Sequence, residues 1–130
     1  MRIDHIGLWV NNLEMMREFY QTWFAAKAGP LYHNPDKGFR SYFLSFETQS
    51  GDHCRLELMS LESTMTSNHS EKLGWAHIAF SLGSRQRVDS LSDELARAGY
   101  RLLDGPRTTG DGYYEAKIED PEGNIIELTR

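Results

Sequence analysis

Two histidines and two glutamates recur at matching intervals along this chain. His5 and His77 are separated by 77 − 5 = 72 positions, and Glu57 and Glu127 by 127 − 57 = 70 positions. Imidazole nitrogens and carboxylate oxygens bind divalent transition metals, and water completes such a set where the metal is catalytic. The four side chains therefore predict one divalent metal ion, with Ni, Zn, Co, Fe and Mn all compatible with these ligands.

Strand alternation predicts that the four candidate ligands lie on equivalent sheet faces. Each histidine belongs to an alternating apolar segment, RIDHIGLWV over 2–10 or GWAHIAFSL over 74–82, and each glutamate to a short apolar strand, HCRLELMS or NIIELT. Successive side chains of a strand point to opposite faces, so the apolar neighbours of each ligand face a helix and the ligand faces away. Four apolar side chains share the ligand faces and would line a substrate pocket: Trp9, Met59, Trp75 and Ile125.

An amphipathic helix is predicted after each histidine-containing strand. The first follows the capping pair Asn11-Asn12, and its apolar stripe is Leu13, Met16, Tyr20 and Trp23. The second follows Ser84, carries the stripe Val88, Leu91, Leu95 and Ala98, and ends at Gly99.

Three strands are predicted after each helix. One lies near 28–33 or 100–104, and a hairpin follows, formed by 39–48 with 53–60 or by 112–119 with 124–129. Each half therefore has the order βαβββ, and the fold class is α+β. Module 1 covers about 1–60, a polar linker 61–73, and module 2 about 74–130, all within a single domain.

Composition is typical of a soluble globular protein. The net charge of −5 disfavours a nucleic-acid partner, because phosphate binding needs a basic surface. The longest apolar runs are too short to cross a bilayer, and no signal-peptide pattern opens the chain. With a single cysteine no internal disulfide forms, so we expect a cytoplasmic protein.

Three segments resemble signatures of the vicinal oxygen chelate superfamily: DHIGLWV, GWAHIAF and DPEGNIIEL. This superfamily includes glyoxalase I, extradiol dioxygenases, fosfomycin-modifying enzymes and bleomycin-binding proteins. The resemblance implies paired βαβββ modules that form a cup-shaped half-barrel with a metal in the cup. It also implies a homodimer, in which modules of two chains often build each cup.

The order His, Glu, His, Glu most resembles bacterial-type glyoxalase I. This resemblance implies a metal-dependent lyase or isomerase that acts on an α-carbonyl substrate, such as a hemithioacetal, through an enediolate. Glu127 would be the base that takes the proton next to the carbonyl, and Glu57 the matching carboxylate on the other side.

Two positions depart from the glyoxalase I pattern. Trp9 and Leu61 stand where that enzyme has an arginine and an asparagine that hold glutathione. Two alternatives therefore stay open: a metal-dependent dioxygenase or antibiotic-modifying thiol transferase, and a non-enzymatic protein that sequesters a small molecule or drug. Arg55 and Lys117 fall near the ligand faces, where each would form a cross-strand ion pair or bind an anionic substrate group.

Overall fold

The computed structural model describes residues 5–47, 54–62, 77–109 and 112–130. The chain divides into two compact units, residues 1–68 and 69–130. Each unit combines one sheet with one α-helix, so the predicted mixed α+β class is confirmed. No helix in the described ranges is long and apolar enough to cross a membrane.

The first unit follows the predicted order, with one strand divided in two. Its elements are β1 (His5–Trp9), α1 (Leu13–Phe24), β2 (Lys27–Ala28), β3 (Tyr32–Asn34), a 3-10 turn (Pro35–Lys37), β4 (Phe39–Ser45) and β5 (Arg55–Leu61). The sheet order is β1-β5-β4-β2, with β3 also paired to β4. The single strand expected at 28–33 is thus two short strands on the same neighbour, separated by Gly29-Pro30-Leu31.

The second unit repeats this plan. Its elements are β6 (Ile78–Ser81), α2 (Arg85–Arg97), β7 (Leu102–Thr108), β8 (Tyr114–Glu119) and β9 (Ile125–Thr129), with sheet order β6-β9-β8-β7. The strand expected at 100–104 begins at Leu102 and continues to Thr108. Leu61 ends β5, and the predicted linker lies outside the described residues from position 63 onward.

Parallel pairing of the first and last strands is common to the two units. Gly7 lies opposite Glu57 in the first unit, and Ala79 lies opposite Glu127 in the second. The backbone contacts beyond these strands also correspond, because Val10 N donates to Met59 O at 2.8 Å and Leu82 N donates to Thr129 O at 2.7 Å. The duplication inferred from spacing is therefore present in the hydrogen-bond register.

Both helices begin at the predicted caps. The side chain of Asn12 accepts a hydrogen bond from Met15 N, and Ser84 Oγ accepts one from Arg87 N. Two stripe predictions are wrong at their last position. Trp23 is only half-buried while Phe19 is buried, and Ala98 is exposed because it is the C-terminal cap of α2.

Helix packing fixes which face of each sheet is covered. In the first unit Leu44, Leu56 and Leu58 are buried, and α1 packs on β4 and β5. In the second unit α2 packs on β7, β8 and β9, and the buried strand residues are Ala116, Ile118, Ile126 and Leu128. Glu57 and Glu127 alternate with these buried residues, so both face away from the helix of their own unit.

Candidate metal centre

Each unit brings one histidine next to one glutamate. His5 Nε2 lies 3.7 Å from Glu57 Oε2 in the first unit, and His77 Nε2 lies 3.1 Å from Glu127 Oε2 in the second. Each histidine stands two positions before the residue opposite its glutamate, where parallel pairing brings the two side chains together on one face. The predicted ligands are thus grouped as two corresponding pairs.

The two members of each pair differ in exposure, although a small residue lies opposite each glutamate. Gly7 has no side chain and Ala79 has only a methyl group, so neither covers the carboxylate beside it. The glutamate side chains are 16% and 12% exposed, whereas the histidine side chains are 42% and 39% exposed. Each carboxylate is therefore largely shielded from water, while its imidazole stays open to a ligand.

The distance between the two donor atoms of each pair can be compared with that of two ligands on one metal ion. Two donors about 2.1 Å from one ion lie about 3.0 Å apart in octahedral and about 3.4 Å apart in tetrahedral coordination. The 3.1 Å spacing of His77 and Glu127 falls within this range, and the 3.7 Å spacing of His5 and Glu57 is slightly longer. The second pair therefore has the spacing of two adjacent ligands of one ion, and the first pair would have to close by about 0.3 Å to reach it.

Each unit by itself contributes two donors. Within 5–47, 54–62, 77–109 and 112–130, no three His, Cys, Asp or Glu side chains are grouped so as to hold a metal ion. A centre built from His5, Glu57, His77 and Glu127 therefore needs both pairs, and it stays a prediction.

The two glutamates differ in the residue that lies opposite them on the adjacent antiparallel strand. Phe43 lies opposite Glu57, and its ring packs edge-on against His5 with centroids 5.2 Å apart. The Arg55 guanidinium lies over the Phe43 ring, 4.4 Å from its centroid. Arg55 is thus engaged in a cation–π contact with Phe43.

Opposite Glu127 lies Lys117, which forms the cross-strand ion pair anticipated from the sequence. Lys117 Nζ is 3.1 Å from Glu127 Oε1 and 3.9 Å from Glu115 Oε1. Arg107 Nη2 is 3.7 Å from Glu115 Oε1, and Arg107 Nε donates to Asp104 Oδ2 at 2.7 Å. That hydrogen bond lowers the pKa of the Asp104 carboxyl and raises the pKa of the Arg107 guanidinium. We call the side chains of Asp104, Arg107, Glu115, Lys117 and Glu127 the charged row.

The predicted pocket residues of the first unit belong to an aromatic surface. Trp9 lies opposite Met59 in the register, and the Met59 methyl group occupies the space beside Gly7. The Trp9 ring packs edge-on against Phe39, and Phe39 packs against Tyr32, with centroids 6.0 Å apart in both contacts. Trp9 is 44% exposed and Tyr32 54% exposed. Sequence reasoning missed Phe39 and Tyr32, although the alternation of FRSYF in β4 places Phe39 on the face of Glu57.

The remaining pocket predictions fall in the second unit. Ile125 is 37% exposed at the start of β9, two positions before Glu127 and on the same face. Trp75 lies outside the described residues.

A separate groove lies on the other face of the second sheet. It runs between α2 and the strands β7 and β8, and its lining includes Asp89, Asp93, Leu102, Pro106 and Tyr114. The Tyr114 hydroxyl donates to Asp89 Oδ1 at 2.5 Å, so this tyrosine faces α2. The groove is therefore on the opposite side of the sheet from Glu127.

Comparison with known protein families identifies the fold. Residues 2–128 match the model of the Glyoxalase/Bleomycin resistance protein/Dioxygenase superfamily. The chain belongs to this superfamily. Members generally bind a divalent metal ion, which agrees with the chemistry of the two donor pairs.

One sequence relative and two solved structures illustrate what this superfamily chain resembles. It is 28% identical over 130 residues to the uncharacterized protein YqjT of Bacillus subtilis, covering 97% of this chain and 96% of that protein. It superposes on the trypanothione-dependent glyoxalase I of Leishmania major with a TM-score of 0.80 and 22% identity, covering 100% of this chain and 86% of that one. A superfamily domain from Frankia sp. EAN1pec gives a TM-score of 0.82 with 16% identity, covering 99% and 96%. At these identities the structural similarities show a common fold.

Proposed function

We propose that this protein is a metal-dependent lyase or isomerase of glyoxalase I type, acting on an α-carbonyl substrate through an enediolate. A hemithioacetal is one such substrate. The observation that supports the proposal is the repetition of one histidine–glutamate pair, in the same register, in both units. We further propose that His5, Glu57, His77 and Glu127 together hold one divalent ion, either Ni, Zn, Co, Fe or Mn.

In this reaction the two glutamates have different tasks. Glu127 would take the proton from the carbon next to the carbonyl and return it to the neighbouring carbon. A carboxylate with 12% of its side chain exposed is suited to this transfer, because little water competes for the proton. Glu57 would be the matching carboxylate on the other side of the substrate. The ion, when bound, supplies Lewis-acid stabilisation of the developing oxyanion.

The substrate side of the site differs from a glutathione-binding site. Trp9 offers an aromatic surface where an arginine would bind a carboxylate, and Met59 and Phe39 extend this surface. We therefore propose an α-carbonyl compound with an apolar portion, which would contact Trp9, Met59, Trp75 and Ile125.

The proposal includes a homodimer in the cytoplasm, with small molecules as its ligands and no nucleic-acid or membrane partner. The homodimer is supported by the family, whose members are often dimeric. Sedimentation analysis of the purified protein tests the dimer.

The decisive experiment combines a chelator with one conservative variant. A methylglyoxal–glutathione hemithioacetal and an aryl α-ketoaldehyde hemithioacetal are assayed with and without chelator. Activity should require metal, and Glu127→Gln should reduce kcat by about 100-fold or more while metal content is retained. Glu119→Gln is the control. Glu119 lies on β8, on the same face of the sheet as Glu127, but it pairs with Arg101. Full activity of Glu127→Gln would refute the base assignment.

The aromatic surface of Trp9, Phe39 and Tyr32 supports a second candidate, a non-enzymatic protein that sequesters an apolar or aromatic compound. Such a protein would bind its ligand equally well after chelation and would show no turnover. Oxygen uptake with Fe(II) and a catechol would instead indicate a dioxygenase.

A further inference from the structure

We propose that Lys117 is a positioning residue for Glu127. Its ammonium group holds Oε1 at 3.1 Å, so that the carboxylate presents Oε2 on the side of His77, also at 3.1 Å. The inference rests on the proposed function, because it concerns the candidate base of that reaction.

The register of the sheet makes this contact a fixed feature. Lys117 and Glu127 are direct partners on the antiparallel strands β8 and β9. The Glu127 side chain is 12% exposed and that of Lys117 is 33% exposed. An ion pair so poorly hydrated is stronger and less mobile than a pair on an open surface. The two oxygens of Glu127 are therefore distinguished by their partners.

The charged row restrains the lysine itself. Lys117 Nζ lies between the carboxylates of Glu127 and Glu115, and Glu115 is in turn 3.7 Å from Arg107. Because Lys117 and Glu115 are two positions apart on one strand, both side chains lie on the same face. The ammonium group is thus held from two directions.

The first unit provides an internal comparison. Phe43 occupies the position of Lys117, opposite Glu57, and its ring contacts His5 and Arg55. Among the described residues Glu57 forms an ion pair only with His5. The two carboxylates occupy corresponding register positions, but Lys117 lies opposite Glu127 on the antiparallel strand where Phe43 lies opposite Glu57. Their partners on the parallel strand are both small, Ala79 and Gly7. A fixed oxygen favours proton transfer, which depends on the geometry of the acceptor, whereas metal ligation needs no such partner.

Three variants test the proposal. Lys117→Met removes the charge and keeps the length of the side chain, Lys117→Arg keeps the charge, and Arg101→Met removes an unrelated cation that lies 3.1 Å from Glu119. We expect Lys117→Met to lower kcat about 10- to 100-fold with KM changed less than about twofold. Lys117→Arg should recover most of this loss, and Arg101→Met should match the wild type.

Calorimetric titration of Ni²⁺ without substrate gives a readout separate from turnover. Removing a cation beside Glu127 should tighten Ni²⁺ binding about three- to tenfold in Lys117→Met, so affinity and kcat change in opposite directions. A merely structural role would weaken binding and turnover together, and that result would overturn the proposal. So would a kcat of Lys117→Met within about twofold of the wild type.

Crystal structures of the metal-free variants separate this inference from the proposed function. If the wild type neither binds Ni²⁺ nor turns over substrate, the proposed function fails. The Lys117 assignment is then decided by the contact between Glu127 Oε2 and His77. We expect this contact to stay near 3.1 Å in Lys117→Arg and to lengthen in Lys117→Met toward the 3.7 Å of His5 and Glu57. An unchanged distance in Lys117→Met would contradict positioning.

Discussion

The Asp120 carboxylate and Asn124 are joined by three hydrogen bonds across the turn between β8 and β9. Asn124 N donates to Oδ1 at 2.8 Å, and Asn124 Nδ2 donates to Oδ1 at 3.1 Å and to Oδ2 at 2.8 Å. Glu122 N also donates to Oδ1 at 3.0 Å. Asp120 is 4% exposed, so this buried carboxylate closes the turn that sets Glu127 opposite Lys117.

Replacing Asp120 should destabilise the second unit. Asp120→Ala leaves two half-buried backbone N–H groups, of Glu122 and Asn124, without their acceptor, and we expect the free energy of unfolding to fall by about 1–3 kcal/mol. Asp120→Asn, which keeps one acceptor oxygen, should lose roughly half as much. Urea denaturation measures both, with exposed Asp36→Ala as the control. A loss below about 0.5 kcal/mol for Asp120→Ala would contradict this role.

Gly105 should be required because β7 approaches β8 closely at this position. Its φ is +80°, and an added Cβ would lie 2.5 Å from the carbonyl oxygen of Glu115. Gly83 has nearly the same φ, +78°, with nothing within 4 Å of an added Cβ. We expect Gly83→Ala to cost about 1–2 kcal/mol for backbone strain alone, and Gly105→Ala to cost about 2 kcal/mol more. Equal losses for the two variants would show that the close approach has no energetic effect.

The sequence predicted the faces of the strands better than their ends. Alternation fixed which side of each strand carries His5, Glu57, His77 and Glu127, because burial of one face imposes a period of two. Trp23 was overrated because it lies in the last turn of α1, which ends at Phe24. Phe19 was missed because it lies at the edge of the apolar stripe, where the angle of the helix on the sheet decides burial. The spacing of apolar residues does not determine this angle.

Cross-strand partners were only partly predictable. The pairing of Lys117 with Glu127 follows from the turn at Asp120, which fixes the register of β8 and β9. The aromatic contacts of Trp9 and Phe39 join β1 to β4, which are not neighbours in the sheet. A contact across an intervening strand depends on side-chain length and orientation, so alternation alone gave only the shared face.

Alkaline pH should destabilise the protein through Tyr42. Burial of this ring, and then its hydrogen bond to Glu14 Oε1 at 2.9 Å, raise the pKa of the hydroxyl above 10.0. The folded state therefore prefers the neutral form. This contribution is fully present below pH 10, the unfolded value, and is lost as the pH rises through the folded pKa.

Thermal unfolding at pH 8 and pH 11 tests this assignment. The Tm of the wild type should fall more between these values than that of Tyr42→Phe, which has no hydroxyl to ionise. Tyr113→Phe serves as the control because Tyr113 is 59% exposed. If Tyr42→Phe loses as much Tm as the wild type, Tyr42 is not the group responsible.

Trp9 should determine whether the site prefers substrates whose non-reacting part is apolar or carries a carboxylate. If the proposed function holds, Trp9→Arg supplies a charge-assisted partner for a carboxylate and should lower KM for the glutathione hemithioacetal about tenfold. It should raise KM for an aryl substrate with a neutral thiol. Trp9→Phe, which keeps an aromatic surface, should change neither KM by more than about twofold. An unchanged preference in Trp9→Arg would place the substrate away from Trp9.

The central claim is that both histidine–glutamate pairs bind the same metal ion. Metal titration of the purified protein measures this most directly. Calorimetry with elemental analysis should give one metal ion per chain, and His5→Ala and His77→Ala should each weaken binding about 100-fold or more. Two ions per chain, with each variant losing only one of them, would show that the pairs act separately. Either that result or no binding at all would contradict the account.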